Sequence, residues 1–552
     1  MTDDSPSESF TEVEKEDVEK EETTPLDADV FLESLGRLTS FQALTVAYVL
    51  CLSWFVCVNQ YMTGAFFAAT PHFRCSSGSH SQDQDSLSMN GSKFTDNCVV
   101  SLTGGTEVKC GWNDTFFEFN TTGFGDTAVS EFELVCDMRQ ASKLAIVGFS
   151  LGSVIGMVLA TSLSDEFGRQ KTFVGATWLL IASAALTPLS PSHAVFVILR
   201  GVTGAACAAI QGVGWVLACE TFSKRHRHAL SMVGQVSCSA GYCTAGLAAF
   251  FFPNWRQMLW ACVLPITAYL GAYWLVPESL HWLITHNRPQ EARRLMKRMN
   301  RKKSTAQEET LVFEEKPEPT ARPARRTDRK VSNLSFVGAF THRLTFSYML
   351  LWSVVVFVDN FVYYAMSLAS AELSSQRHLG FVLSGLCELP GSILATFLLY
   401  FMGRRVTSTL VRLTALLLLT AILCFHGSSI KMALWLLLKP VVISSVLHSN
   451  EYMATGVHAH YDEVLIFRCA RNFTYGFANA CGHAGILLAP QALIFVEDWP
   501  EAFPLLCACL LSVSVLATVF FPETRGHSLP GTVDDVRRGR CLKLLCPSGR
   551  HS

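Results

Sequence analysis

Twelve apolar runs, each about long enough to cross a lipid bilayer, dominate this sequence. They lie near residues 42–66, 141–163, 172–190, 194–218, 229–251, 257–276, 344–366, 379–402, 406–426, 430–449, 473–496 and 500–521. About 20 apolar residues in a helix span a hydrocarbon core roughly 30 Å thick. Lipid offers no water to backbone amides and carbonyls, so each run must pair its own backbone and form a helix. Half of the 552 residues are apolar and only 16% are charged, whereas soluble chains carry about 25%. That balance excludes a soluble enzyme, a disordered chain and a nucleic-acid binder. The first run follows a polar segment of about 40 residues and has no basic region before it, so it reads as a span rather than a removable leader.

The placement of charge orients the chain. Residues 285–343, between the sixth and seventh runs, hold fifteen Lys or Arg, whereas 68–140 hold Arg74, Lys93, Lys109 and Arg139. The positive-inside rule puts the basic stretch in the cytoplasm and the 68–140 loop outside. An even span count then places both termini in the cytoplasm. The predicted organisation is an acidic N-terminal tail over 1–41 and a six-helix half over 42–276 that includes the loop. A basic linker over 277–343, a second six-helix half over 344–521 and a C-terminal tail over 522–552 follow. The expected fold is an all-α membrane protein with twelve transmembrane helices in two pseudo-symmetric halves.

The loop carries the signs of an oxidising compartment. Cys75, Cys98, Cys110 and Cys136 predict two disulfides in one of three pairings. Three glycosylation sequons head at Asn90, Asn113 and Asn120 in the same loop.

Short polar motifs recur at the opposite side. After the second run the chain reads Asp165-Glu166-Phe167-Gly168-Arg169, and after the eighth Met402-Gly403-Arg404-Arg405. One Gly-Arg pair per half marks an internal repeat, the device by which transporter halves rock around a central site. Gly168 suits a tight turn. Asp165 suits a helix N-terminus or an arginine partner. Arg169 suits acidic partners or helix carbonyls. Glu220 and Arg227 flank the loop after the fourth run, and Pro277-Glu278-Ser279 closes the first half. Pro522-Glu523-Thr524-Arg525 echoes it at the end of the second. Each glutamate is expected to meet an arginine of a Gly-Arg loop, forming a cytoplasmic latch.

Taken together, these motifs resemble the major facilitator superfamily, and more narrowly its organic cation/anion/zwitterion transporter family of solute carriers. The resemblance covers nearly the whole chain. It includes Phe31-Leu32-Glu33-Ser34-Leu35-Gly36, Glu131-Phe132-Glu133-Leu134-Val135-Cys136-Asp137, Asn254-Trp255-Arg256, Phe361-Val362-Tyr363-Tyr364, Ser384-Gly385-Leu386-Cys387-Glu388-Leu389-Pro390 and Pro522-Glu523-Thr524-Arg525-Gly526. It implies facilitated or exchange transport of small organic ions across the plasma membrane. Departures exist: Thr161, Glu166 and Gln170 stand where the family has glycine and basic residues, and Leu280-His281 where it has Pro-Arg.

Ionisable residues inside spans are costly and mark function. The central ones here are Asp359, Glu388, Lys439 and His483. The resemblance places His483 at an eleventh-span position whose charge follows substrate sign, Glu388 at an eighth-span glutamate suited to offset a cation, and Gln235 near the site. It places Tyr363 and Tyr364 at seventh-span aromatics that face a cation or stack on a ring. Gln211 and Trp215 fall on the cavity face of the fourth run. Asp359 and Lys439 are read as partners of each other or as residues near helix ends.

The expected function is secondary transport of a small organic cation or zwitterion by alternating access. Transport of organic anions through a protonated His483 is the nearest alternative, and a non-transporting receptor or scaffold is the second. No nucleotide-binding glycine loop or zinc-finger spacing is present in the sequence. The expectation is therefore no catalysis, no cofactor, no metal and no nucleic acid, with a small organic ion and the bilayer as partners.

Overall fold

The computed structural model describes residues 39–77, 98–101, 107–110, 115–120, 125–222, 227–300, 343–370, 377–402, 404–425, 428–452, 465–496 and 501–521, with Ala28, Phe31 and Leu32. Ten of the described helices are long and apolar enough to cross a bilayer. The fifth and eleventh apolar runs also lie in single helices, Arg227–Phe251 and Leu465–Val496.

The first half comprises α1 (Ser40–Phe67), α2 (Leu144–Phe167), α3 (Arg169–Leu186), α4 (His193–Thr221), α5 (Arg227–Phe251) and α6 (Trp255–Val263). The amphipathic α7 (Pro289–Asn300) follows. The second half comprises α8 (Arg343–Ala369), α9 (Arg377–Leu386), α10 (Glu388–Phe401), α11 (Arg404–Cys424), α12 (Ser428–Tyr452), α13 (Leu465–Val496) and α14 (Ala502–Val519). The arrangement is the all-α major facilitator fold.

Between helices, attraction in lipid comes from close packing and internal hydrogen bonds, because lipid tails are as apolar as leucine. The α2–α4 contact shows this. A side chain on Gly152 would place its Cβ 1.9 Å from the Gly201 carbonyl oxygen. Only glycine permits that approach. The outer surface carries large exposed apolar side chains, such as Leu159, Ile198, Leu264 and Trp274. Their exposure suits a lipid surround, since soluble monomers rarely expose apolar patches beyond a few hundred Å².

The 68–140 loop contains two antiparallel strand pairs that the sequence reading did not anticipate. β1 (Phe73–Ser77) pairs with β4 (Thr115–Phe119), and β2 (Val99–Ser101) with β3 (Glu107–Lys109). Of the three open disulfide pairings, the chain forms Cys75–Cys110 and Cys98–Cys136. Asn120 follows β4, and its N–H donates to the His72 carbonyl at 2.8 Å. Asn90 and Asn113 lie outside the described residues.

A clamp ties the loop to the first half. Glu131 accepts from Arg256 at 2.5 Å and from the Trp255 indole at 2.7 Å. Arg256 also donates to the Ser190 carbonyl at 3.0 Å. The Arg256 hydrogen bond holds the Glu131 carboxyl below the usual glutamate range.

Candidate functional site

A cavity of ≈ 930 Å³, its open mouth included, lies between the two halves. Gln211, Trp215, Gln235, Tyr363, Tyr364 and His483 all line it. Helical spacing explains the convergence. Trp54, Val58, Tyr61 and Met62 of α1 recur on one face and line the same cavity. The second half adds Asn360 and Asn479 beside the tyrosines and His483.

Aromatic packing joins the two halves outside the cavity lining. Phe66 of α1 sits against Phe381 of α9, ring centroids 4.8 Å apart, and stacks on His378 at 5.4 Å. Tyr242 of α5 also stacks on Phe381 at 4.3 Å. Arg377 donates to the Ala65 carbonyl at 2.9 Å, across the two halves. The cavity extends the other way, toward Gln211 and Trp215, which approach the Glu220 end of α4.

Glu388 is placed differently from expectation. It is fully buried, does not line the cavity and already has a counter-charge: Lys439 Nζ lies 3.5 Å from its Oε1. Tyr363 donates to the same oxygen at 3.0 Å, and Gln235 and Ser239 donate to Oε2 at 3.3 and 3.5 Å. The ammonium sits 4.4 Å from the Tyr363 ring centroid and donates to Ser367. Two opposite charges removed from water must find each other or cost several kcal/mol each. The pair therefore neutralises itself behind the Tyr363 wall, and Glu388 is not an open counter-charge.

Asp359 and Lys439 are not partners of each other. Asp359 binds Arg412 at 2.5 Å, and Ser445 and Ser449 of α12 donate to its two oxygens at 2.9 and 2.5 Å. This buried network joins α8, α11 and α12. Arg412 was missed in the sequence because it follows a basic loop and reads as flanking charge.

Tyr61 was missed as well. Its hydroxyl donates to Ser153 Oγ at 2.9 Å and meets His483 Nδ1 at 3.0 Å. The spacing of Tyr61 with Trp54 and Val58 on one helical face was the available signal.

The latch of the first half assembles around Arg169, which is buried. Its guanidinium bonds Asp165 at 2.8 Å, Glu220 at 3.3 Å and the Ser164 carbonyl at 2.9 Å. The expected arginine partner of Glu278 is replaced by backbone. Glu278 accepts from the Arg169 and Gln170 amides at 2.9 and 3.2 Å, capping the N-terminus of α3. Free amides at a helix start favour a carboxylate, which explains the substitution. Gly168 adopts φ 105°, and a Cβ there would lie 2.5 Å from Glu278 Oε2. All these groups belong to one half. Arg405 is half-buried at the start of α11. Gly403, Glu523 and Arg525, and the side chains of Arg227 and Arg404, lie outside the described residues.

A family model described as "Sugar (and other) transporter" matches residues 126–530. The chain is 24% identical over 525 residues to the Organic cation transporter protein of Drosophila melanogaster, covering 92% of this chain and 94% of that one. It is 28% identical over 436 residues to Solute carrier family 22 member 7 of Homo sapiens, covering 78% and 76%. Its fold is similar to that of the proton:xylose symporter XylE of the major facilitator superfamily, with TM-score 0.57, 14% identity, and 89% and 97% coverage. With most of its length matched, this multi-pass membrane chain belongs to the sugar (and other) transporter family.

Proposed function

We propose that the protein is a secondary transporter of small organic ions, working by alternating access, with organic cations or zwitterions as its substrates. The observation that carries this reading is the cavity itself, whose walls come from both halves and mix rings with amides. Trp54, Tyr61, Trp215, Tyr363 and Tyr364 offer ring faces, and Gln211, Gln235, Asn360 and Asn479 offer amides. A desolvated cation over a ring face gains up to about 2 kcal/mol. No carboxylate is among the described lining residues, so this reading relies on ring faces and amide oxygens rather than on Glu388. A sealed centre without polar groups would favour a scaffold, whereas this cavity is open and places four side-chain amides among its apolar walls. The similarity to a protein named organic cation transporter supports the same substrate class. The Arg169 cluster acts as the rigid cytoplasmic corner of the first half. The site of action is the plasma membrane, with both termini cytoplasmic.

Uptake of radiolabelled organic cations by cells or proteoliposomes tests the proposal. Trp215→Ala and Tyr363→Ala are each expected to lower uptake about tenfold, the equivalent of about 1.4 kcal/mol. Folded, surface-expressed protein that moves no solute across a broad organic-ion panel would leave the scaffold reading. Anion uptake that rises as pH falls and vanishes in His483→Ala would replace cations with anions.

A further inference from the structure

The helix α7 divides into two faces of opposite character. Ala292, Leu295, Met296 and Met299 are buried in one apolar cluster with Trp282 and Leu283 of the short helix Leu280–Thr285. Ala28 and Leu32 are buried in the same cluster, so the N-terminal segment enters the fold beside α7. The opposite face carries Arg293, Arg294, Lys297 and Arg298, all exposed. Spacings of three and four residues gather such bases on one side of a helix. Glu291, the one acid of α7, is taken by Arg288 at 3.5 Å. Arg298 rests over the Phe41 ring at 5.1 Å. Among the described residues, no carboxylate pairs with any of the four bases.

We propose that this basic face is the docking surface for the chain's own acidic segment, residues 1–22. That segment lies outside the described residues. Its sequence holds ten Asp or Glu against two Lys, a net side-chain charge of −8. The sign is opposite to that of the exposed face of α7. Ala28 fixes where the segment arrives. Glu22 stands six positions before Ala28, a span of about 20 Å at most. With its 12 residues, α7 measures about 18 Å. The acidic run therefore begins about one helix length from the cluster that seats α7. Covalent attachment by a short linker raises its local concentration to about the millimolar range. Contacts that are individually weak between exposed charges then act together.

The surface joins the rest of the molecule through Trp282. That side chain is buried in the α7 cluster, and its indole N–H donates to the Asp165 carbonyl at 3.1 Å. The Asp165 carboxylate in turn bonds Arg169 at 2.8 Å. An acidic segment seated on α7 thus braces the element that touches the Asp165–Arg169 corner. The proposal does not depend on what the cavity carries.

Zero-length crosslinking of the purified full chain with a water-soluble carbodiimide tests the proposal. The reagent joins a carboxylate to a lysine amine as an amide and takes up the water that is lost. Lys297 is the one lysine of α7, and peptide mass spectrometry is expected to find it joined to Asp or Glu of residues 1–22. The yield should fall about tenfold when Arg293→Glu is combined with Arg294→Glu, and again at about 1 M salt, which screens exposed charges. A second variant, with the ten acids of residues 1–22 changed to Gln or Asn, leaves α7 intact, and chemical acetylation of its Lys297 should run several-fold faster. A crosslink yield that ignores charge reversal, or acetylation that ignores loss of the acids, overturns the inference. Crosslinks found only between isotopically heavy and light chains in a mixed sample also overturn it and make a second copy the occupant. Shielding of Lys297 that appears in phosphatidylserine vesicles and not in phosphatidylcholine ones overturns it in favour of anionic lipid.

Discussion

Tyr61 Oη and His483 Nδ1 lie 3.0 Å apart although their residues stand in opposite halves of the molecule, 422 positions apart in the chain. Phe66, five residues further along α1, packs against Phe381 of the other half at this end of the seam between the halves. A carrier that opens that end must separate Phe66 from Phe381, and Phe381→Ala is expected to ease the separation. Cysteine-accessibility labelling of cavity residues from the outside should rise several-fold in that variant. Unchanged labelling would show that the Phe66–Phe381 pair is not the outer barrier.

Arg169 stands between two carboxylates in a largely buried setting, with Asp165 at 2.8 Å and Glu220 at 3.3 Å. Removing the cation from such a cluster costs about 3–5 kcal/mol. Arg169→Ala is therefore expected to lower the unfolding temperature of the purified protein and reduce its surface expression. Arg169→Lys should recover only part of the loss, because an ammonium lacks the planar fork that reaches several acceptors at once.

Gly168 connects α2 to α3 with φ 105°. Gly168→Ala forces a side chain into a disfavoured backbone region and against Glu278. The strain is expected to cost about 1–3 kcal/mol. Thermal unfolding checks it, and Glu278→Ala in the same chain tests whether the steric part is relieved.

Glu388 and Lys439 form a buried pair, so each single substitution leaves an uncompensated charge. Glu388→Gln and Lys439→Met should each destabilise by about 3–5 kcal/mol. The double variant should be more stable than either single one. A double-mutant cycle on unfolding temperature reads the coupling, and simple additivity would mean that the pair is not the controlling contact.

The Glu131–Arg256 clamp carries a pH signature. The Glu131 carboxyl titrates below its ordinary value near 4.5 because Arg256 bonds its charged form. Its contribution is therefore present above that value and lost as pH falls through the lower, folded-state value. Unfolding temperature should drop below about pH 4.5 in the wild type. Arg256→Gln should flatten that drop, whereas an equal drop in both would place the acid sensitivity elsewhere.

Much of this was legible in the residues themselves. Apolar length demands helices in lipid, so the runs at 42–66 or 194–218 translate directly into α1 and α4. The Gly168-Arg169 and Pro277-Glu278 motifs were visible because a positive φ and a helix N-terminus impose narrow residue preferences. Tyr363, Gln211 and His483 reach one cavity because residues on inward helical faces converge wherever the halves meet.

Charge partners were not legible. Glu388 as a lone carboxylate suits a cation, yet the bundle brings Lys439 of α12 within 3.5 Å and leaves the cavity wall without it. Asp359 finds Arg412 rather than Lys439 for the same reason. Glu278 finds three backbone amides, those of Arg169, Gln170 and Ser279, rather than a guanidinium. Hydrophobic length acts along the chain and is local, so the sequence by itself determined the helices, their order and the membrane setting. Electrostatic pairing acts through space over a few ångströms and depends on which helix faces meet. Only the tertiary structure decided which charges cancel and which titratable group remains on the cavity wall.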